Sequence, residues 1–344
     1  MSDATFQLAA SVAKILFVWG VVLAALLPNL VWAERRVAGM IQDRPGPNRV
    51  GPFGLFQIVA DGTKFFMKES VTPLFVDKLL YNVAPWVTLI PGLVTFAVIP
   101  FGATLPVTIG GVTREVPLVI ADVNIGILYI FAFTGLGVYG IVLAGWSSNN
   151  KYSLMGGLRA SAQIISYELA MGFAAAATFL SAGSLRLPAV VEWQQAHVWN
   201  VVPQFVGFLI FLVAAFAETN RLPFDLAEAE AELVAGYHTE YSAFKFGMFF
   251  MGEYANLVAA SGLMVTLYFG GWSLPGVTFS GIGGAVASIA VFFAKTLAFV
   301  ALFIWVRWTF PRFRYDQLMS LGWKVLLPLS FFHLIAVAAF VAAK

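Results

Sequence analysis

Apolar residues run along this chain in long unbroken stretches, separated by short polar segments, and do not alternate with polar ones. Stretches of about 20 apolar residues, enough for a helix to cross a ~30 Å hydrocarbon core, fall at roughly 11–33, 80–101, 123–146, 158–181, 199–217, 244–270, 285–308 and 324–342. The pattern predicts an all-α polytopic membrane protein of about eight transmembrane helices, since a barrel would need alternation. The fourth stretch is unusually polar, with Arg159, Ser161, Gln163, Ser166 and Glu168, and the fifth is short and opens near Pro203. The first is too long for the apolar region of a cleavable signal and reads as a retained helix. Composition agrees: of 344 residues 60% are apolar and only 11% charged, against roughly 25% charged in an average soluble domain. No linker or repeat divides the chain, so 1–344 reads as a single membrane domain. A transporter built from inverted halves finds no paired pattern of broken helices.

The position of charge matters more than the net +2. If the eight stretches cross, the odd-numbered links and their flanks hold Arg35, Arg36, Arg44, Arg49, Lys64, Lys68, Lys78, Lys151, Arg159, Arg221, Lys245, Arg307, Arg312, Arg314 and Lys324. The opposite side holds only Lys14, Arg114, Arg186 and Lys344. Basic residues near helix ends stay on the cytoplasmic side, which predicts that both termini are periplasmic.

Three places put polarity in or beside lipid. The first follows the first stretch: Glu34-Arg35-Arg36, then a Pro- and Gly-rich segment from Asp43 and Arg44 to Pro52, then 53–69. Within 53–69, Gln57, Asp61, Lys64 and Lys68 form one polar stripe among Phe56, Val59, Phe65, Phe66 and Met67. That is an amphipathic helix lying in the membrane interface. It serves either as a positive-inside anchor or as the lining of an entrance for an amphipathic, lipid-like substrate.

The second is an acidic loop over 218–243, where Glu218, Asp225, Glu228, Glu230, Glu232 and Glu240 surround the lone base Arg221. Pro223 suits the first turn of a helix. Continued at about 100° per residue, that helix puts Leu226, Glu230, Leu233 and Tyr237 on one face, with Glu230 in the apolar stripe, Glu228 nearly opposite and Glu232 on the flank. A carboxyl buried in this way has a raised pKa, as a proton carrier near neutral pH requires. The third place is inside the stretches themselves: Glu168, Glu253 and Lys295. Ionisable groups at bilayer depth cost at least ~2.5–3.5 kcal/mol and normally carry protons, ions or ligands; the plain alternative is a Lys295–Glu pair holding the bundle.

The chain has no Cys and three His, at 197, 238 and 333. Thiolate-ligated iron–sulfur clusters and zinc are excluded, the histidines do not suit a bis-His haem, and no phosphate-cradling glycine loop is present. No metal, haem, flavin or iron–sulfur cluster is expected in this chain alone.

Several segments resemble a known family in order along the chain: Glu34-Arg35-Arg36 with Gly46-Pro47-Asn48-Arg49-Val50-Gly51-Pro52, Ala60-Asp61-Gly62-Thr63-Lys64, Gly145-Trp146-Ser147-Ser148-Asn149-Asn150-Lys151-Tyr152, Ser166-Tyr167-Glu168, the run from Ala217 to Glu228, Glu240-Tyr241-Ser242, Gly252-Glu253-Tyr254, and Pro311-Arg312-Phe313-Arg314-Tyr315-Asp316-Gln317. The family is that of the membrane-embedded H subunit of bacterial respiratory complex I, called subunit one in mitochondria. The resemblance implies a component of proton-translocating NADH:quinone oxidoreductase in the bacterial inner membrane, joining the hydrophilic redox arm to the antiporter-like membrane subunits. It implies a quinone tunnel with Arg35, Arg36, Arg44, Asp61, Arg221 and Phe224, and a coupling path through Glu168, Glu218, Glu228, Glu230, Glu232, Glu240 and Glu253. Quinone would be the substrate, and neighbouring subunits would hold the electron donor. The alternative is an ion-translocating component of a related hydrogenase or formate-linked complex, or an antiporter.

Overall fold

The computed structural model describes residues 3–109, 112–228 and 230–343. Its helices are α1 (Thr5–Ile41), α2 (Gln57–Met67), α3 (Lys78–Ala97), α4 (Gly126–Ser147), α5 (Lys151–Ala182), α6 (Leu187–Ala196), α7 (Phe205–Glu218), α8 (Glu230–Leu233), α9 (Ala243–Tyr268), α10 (Gly281–Thr309) and α11 (Tyr315–Ala342). Among the described residues, seven of them are long and apolar enough to cross a membrane: α1, α3, α4, α5, α9, α10 and α11. The chain is therefore a mostly helical polytopic membrane protein. The fifth apolar stretch forms α7, whose 14 residues rise only about 21 Å.

Local chemistry sets several helix ends. Asp77 caps α3 by accepting from the backbone N–H of Leu79 and Leu80 at 3.1 and 3.2 Å, and the Asn150 side chain accepts from Tyr152 N–H at the start of α5. Gly183 ends α5 in the left-handed region at φ 67°, where a residue without Cβ meets no steric penalty.

Helix α1 continues well past the expected end of its apolar stretch, so Glu34-Arg35-Arg36 is helical and not a loop. The all-α expectation also needs correcting, because β1 (Thr104–Ile109) and β2 (Val112–Pro117) form an antiparallel hairpin with Thr104 opposite Pro117. Its signal was present as two β-branched runs flanking Gly110-Gly111, a hairpin composition.

Contacts gather the links at two ends. At one, Lys14 Nζ donates to Val119 O at 2.6 Å and Arg186 pairs with Asp122. At the other, Asp77 N donates to Ser147 O, Val71 N to Ser242 Oγ, Tyr81 OH to Glu240 O and Phe313 N to Pro223 O. The second end thus collects the odd-numbered links. Helix α9 is the most buried span and α11 the least, so α9 is the central post of the bundle.

The continuous helix expected after Pro223 is absent. Pro223 lies in turns, and among the described residues of the loop only Glu230–Leu233 is α-helical, with Gly236–His238 a short 3-10 turn. Gly236 at φ 60° lies so close against the Ala227 carbonyl that a Cβ would overlap it, and the chain doubles back instead of extending. The helical phase assigned to Glu228 is therefore wrong. The Glu230 side chain lies outside the described residues. Among the described residues Lys295 pairs with no Glu: its ammonium donates to the carbonyls of Phe269, Gly271 and Ser273 at 2.7, 3.0 and 2.6 Å, closing the end of α9.

Candidate functional site: an apolar cavity backed by buried carboxylates

A cavity of about 700 Å³ opens between α1, α2, α3 and α9. Its walls are apolar and aromatic, among them Leu27, Trp32, Phe65, Trp86, Phe246 and Phe250. Polar groups enter at α2 and the end of α1: Arg35 Nη1 holds Asp61 Oδ2 at 2.7 Å, and Gln57 donates to the other Asp61 oxygen at 3.1 Å. The polar stripe of the short helix thus turns one edge into the cavity. An apolar pocket with a few fixed polar groups at one side suits a ligand with a long greasy body and a polar head.

Behind the cavity wall lies a group of charges sealed from solvent. Glu34, 3% exposed, shares the buried face of α1 with Leu27, Leu30 and Ala38. Its carboxylate accepts from Arg221 at 2.7 Å, from Arg307 at 2.6 Å and from the Tyr254 hydroxyl at 2.5 Å. Arg221, 1% exposed, also pairs through Nε with Glu253 at 2.6 Å and lies 4.2 Å from the centre of the Tyr254 ring. Burying such ions is costly unless they are paired; two acids and two bases offset one another here, while Arg221 Nη2 and the Nε close to Glu253 make no hydrogen bond. Nearby, Arg312 binds Asp225 at 3.0 Å.

Glu253 and Tyr254 are adjacent on α9, about 100° apart around it, and both reach Arg221. Tyr254 lines the large apolar cavity, whereas Glu253 lines a second, small cavity of about 30 Å³ shared with Thr134, Glu218, Asn220, Glu228 and Asn256. That space is enough for one or two water molecules. Glu168 on α5 reaches Gly135, the neighbour of the cavity-lining Thr134. A connected series therefore leads from Tyr254 through Glu34, Arg221 and Glu253 to Glu228 and Glu218, and on to Glu168.

Burial, reinforced by the Glu253 and Asp225 carboxylates, pushes Glu228 up to about 8. Burial pushes His238, 3.8 Å away, down to about 4. Between those values both are neutral, so their contact is not an ion pair at pH 7. Because the folded Glu228 keeps a proton that the unfolded chain releases near 4.5, its contribution favours folding fully below pH 4.5 and is lost as pH rises through 8. Glu228→Gln is expected to flatten the fall of Tm over that window, measured beside the parent protein in detergent; identical slopes would contradict the assignment.

The NADH dehydrogenase family profile matches residues 13–338. The H subunit 1 of NADH-quinone oxidoreductase from Geobacter metallireducens is 50% identical over 335 residues, covering 97% of each chain. The corresponding H subunit of Leptospira biflexa is 53% identical over 308 residues, 87% of this chain and 86% of the relative, and the H subunit 2 of Koribacter versatilis is 48% identical over 100% of this chain and 99% of its own. The chain belongs to the family of NADH-quinone oxidoreductase H subunits.

Within that family frame, the residues singled out from sequence divide among the two cavities, the buried charges and separate contacts elsewhere. Arg35 and Asp61 meet at the large cavity. Arg36 instead donates to Pro47 O at 3.0 Å, fastening the Pro- and Gly-rich segment to α1, and Arg44 is exposed and bound to Gln42. Arg221 belongs to the buried charges, and Phe224 is buried with its ring stacked on Phe313 and near Tyr167. Of the acids, Glu218, Glu228 and Glu253 share the small cavity with Glu168 beside it. Glu232 pairs with Arg159 at 2.6 Å, and Glu240 accepts from Asn150 at 2.6 Å. Sequence reasoning missed Glu34, Tyr254 and Arg307 as site residues. Helical phase could have found Glu34, since 27, 30, 34 and 38 continue the buried stripe.

Proposed function

We propose that this chain is the membrane component of a proton-translocating NADH:quinone oxidoreductase that forms much of the quinone tunnel and couples quinone reduction to proton movement. It spans the bacterial inner membrane eight times, α7 included, with both termini periplasmic. The 53–69 segment lies in the cytoplasmic interface and the 218–243 loop faces the hydrophilic redox subunits. The single observation behind this reading is Tyr254, whose ring lines the apolar cavity while its hydroxyl binds the Glu34 carboxylate.

A quinone enters from the bilayer with its tail against the aromatic wall and its head passing Arg35 and Asp61. Electrons would come from an iron–sulfur cluster held by a neighbouring subunit; this chain has no Cys to ligate one. Negative charge formed at the tunnel end changes the balance around Arg221, with carboxylates on both sides of it, and a proton shifts among Glu253, Glu228 and Glu218. Moving one charge against 100 mV takes about 2.3 kcal/mol, so a carboxyl pKa swing of roughly two units per proton is the scale required.

Asp61→Ala in native membranes is expected to cut NADH-driven quinone reduction about tenfold, leaving NADH oxidation by an artificial acceptor and native-gel assembly intact. Unchanged quinone reduction would remove the tunnel role and restore a hydrogenase-like component as the better reading.

A further inference from the structure

The conformation that brings Arg221 between Glu34 and Glu253 is not a regular element. Residues 217–224 leave the end of α7, pass through Asn220 in the left-handed region at φ 49°, and turn back. Within the strap, Arg221 N–H donates to Phe216 O at 3.3 Å and Phe224 N–H to Arg221 O at 2.8 Å. Such turns are weak on their own; another element must hold them.

Gln163 is that element. It lies fully buried on α5, and its Nε2 donates to Ala217 O at 2.7 Å, to Phe224 O at 2.8 Å and faces Asn220 Oδ1 at 3.2 Å. One amide thus ties both ends of a strap whose middle carries Arg221. Three oxygens converging on one atom require a donor there, which assigns the amide orientation; the opposite atom, Oε1, has no partner. Glu34 and Glu253 hold Arg221 from α1 and α9, whereas Gln163 holds the backbone from α5, so the strap is clamped from two directions. Glu218 and Asn220 on the same strap line the small cavity.

We propose that Gln163 is a positioning residue for coupling: by tying residues 217 and 224 together it sets Arg221 between Glu34 and Glu253 and keeps Glu218 at the small cavity. This rests on the coupling function proposed above. Gln163→Leu and the better size-matched Gln163→Met both remove the donor and put an apolar side chain of similar volume in its place. In membranes of the assembled complex, quinone reduction and proton pumping are measured separately, with artificial-acceptor activity as the control and Glu34→Gln as a reference. The expected result is at least a twofold fall in protons pumped per NADH oxidised for both variants, in complex that still assembles.

A wild-type ratio in either assembled variant overturns the inference. So does less assembled complex that still pumps at the wild-type ratio, since that marks a purely structural residue. If Glu34→Gln lowers the ratio and the Gln163 variants do not, only the Gln163 role fails. If Glu34→Gln also leaves the ratio untouched, the coupling reading itself fails.

Discussion

Replacing Arg221 by Met is expected to be among the most damaging single substitutions outside the helix cores. The change takes away the guanidinium that pairs with Glu253 and removes one of the two bases on Glu34. Breaking a buried ion pair from one side typically costs about 3–5 kcal/mol, a large share of the stability of an ordinary protein. The expected readout is a marked loss of assembled complex on native gels and a lower Tm for what remains. The size of the effect separates this site from surface pairs such as Arg159–Glu232, whose loss should move Tm little. A stable, fully assembled Arg221→Met protein would show that the buried charges are not held by mutual pairing.

A second large effect has opposite signs in stability and activity. Gly62 lies on α2, lines the apolar cavity, and a Cβ added there meets nothing within 4 Å. Gly62→Leu should therefore stabilise the helix, since an interior Gly costs about 0.8–1 kcal/mol relative to good helix formers. The same side chain projects into the space proposed for the quinone, and kcat/KM for quinone is expected to fall about tenfold or more. Tm should hold or rise. Unimpaired quinone reduction would mean that the ligand does not pass α2.

Much of this architecture was legible from the hydrophobic pattern, because a chain in lipid must satisfy its backbone within helices and the uninterrupted apolar runs leave few choices. The pairing of Arg35 with Asp61 was also within reach, since the polar stripe of 53–69 follows helical phase. Glu34 was harder. It opens the Glu34-Arg35-Arg36 motif, which reads as a polar loop until α1 is continued to Ile41, and only then does helical phase with 27, 30 and 38 turn it inward.

The acidic loop was misread for a different reason. Periodicity assumes one continuous helix, and here the left-handed Gly236 and its approach to the Ala227 carbonyl fold the chain back. That fold carries Glu228 from an expected solvent face to the small cavity. Lys295 could not be assigned a partner from sequence at all, because its three acceptors are backbone carbonyls at the end of another helix, and carbonyls have no residue signature. Arg307 carries no local mark either, and the partner of Asp225, Arg312, is likewise distant in sequence.

The Tyr254 side chain touches both the apolar cavity and the buried Glu34 carboxylate, and the coupling proposed above runs through it. Tyr254→Phe keeps the ring and deletes the hydroxyl bound to Glu34. The decisive measurement is protons pumped per NADH oxidised in membranes carrying this variant, alongside the rate of quinone reduction. A clearly lower ratio with quinone reduction largely retained is the expected result. A wild-type ratio at a wild-type rate would contradict it.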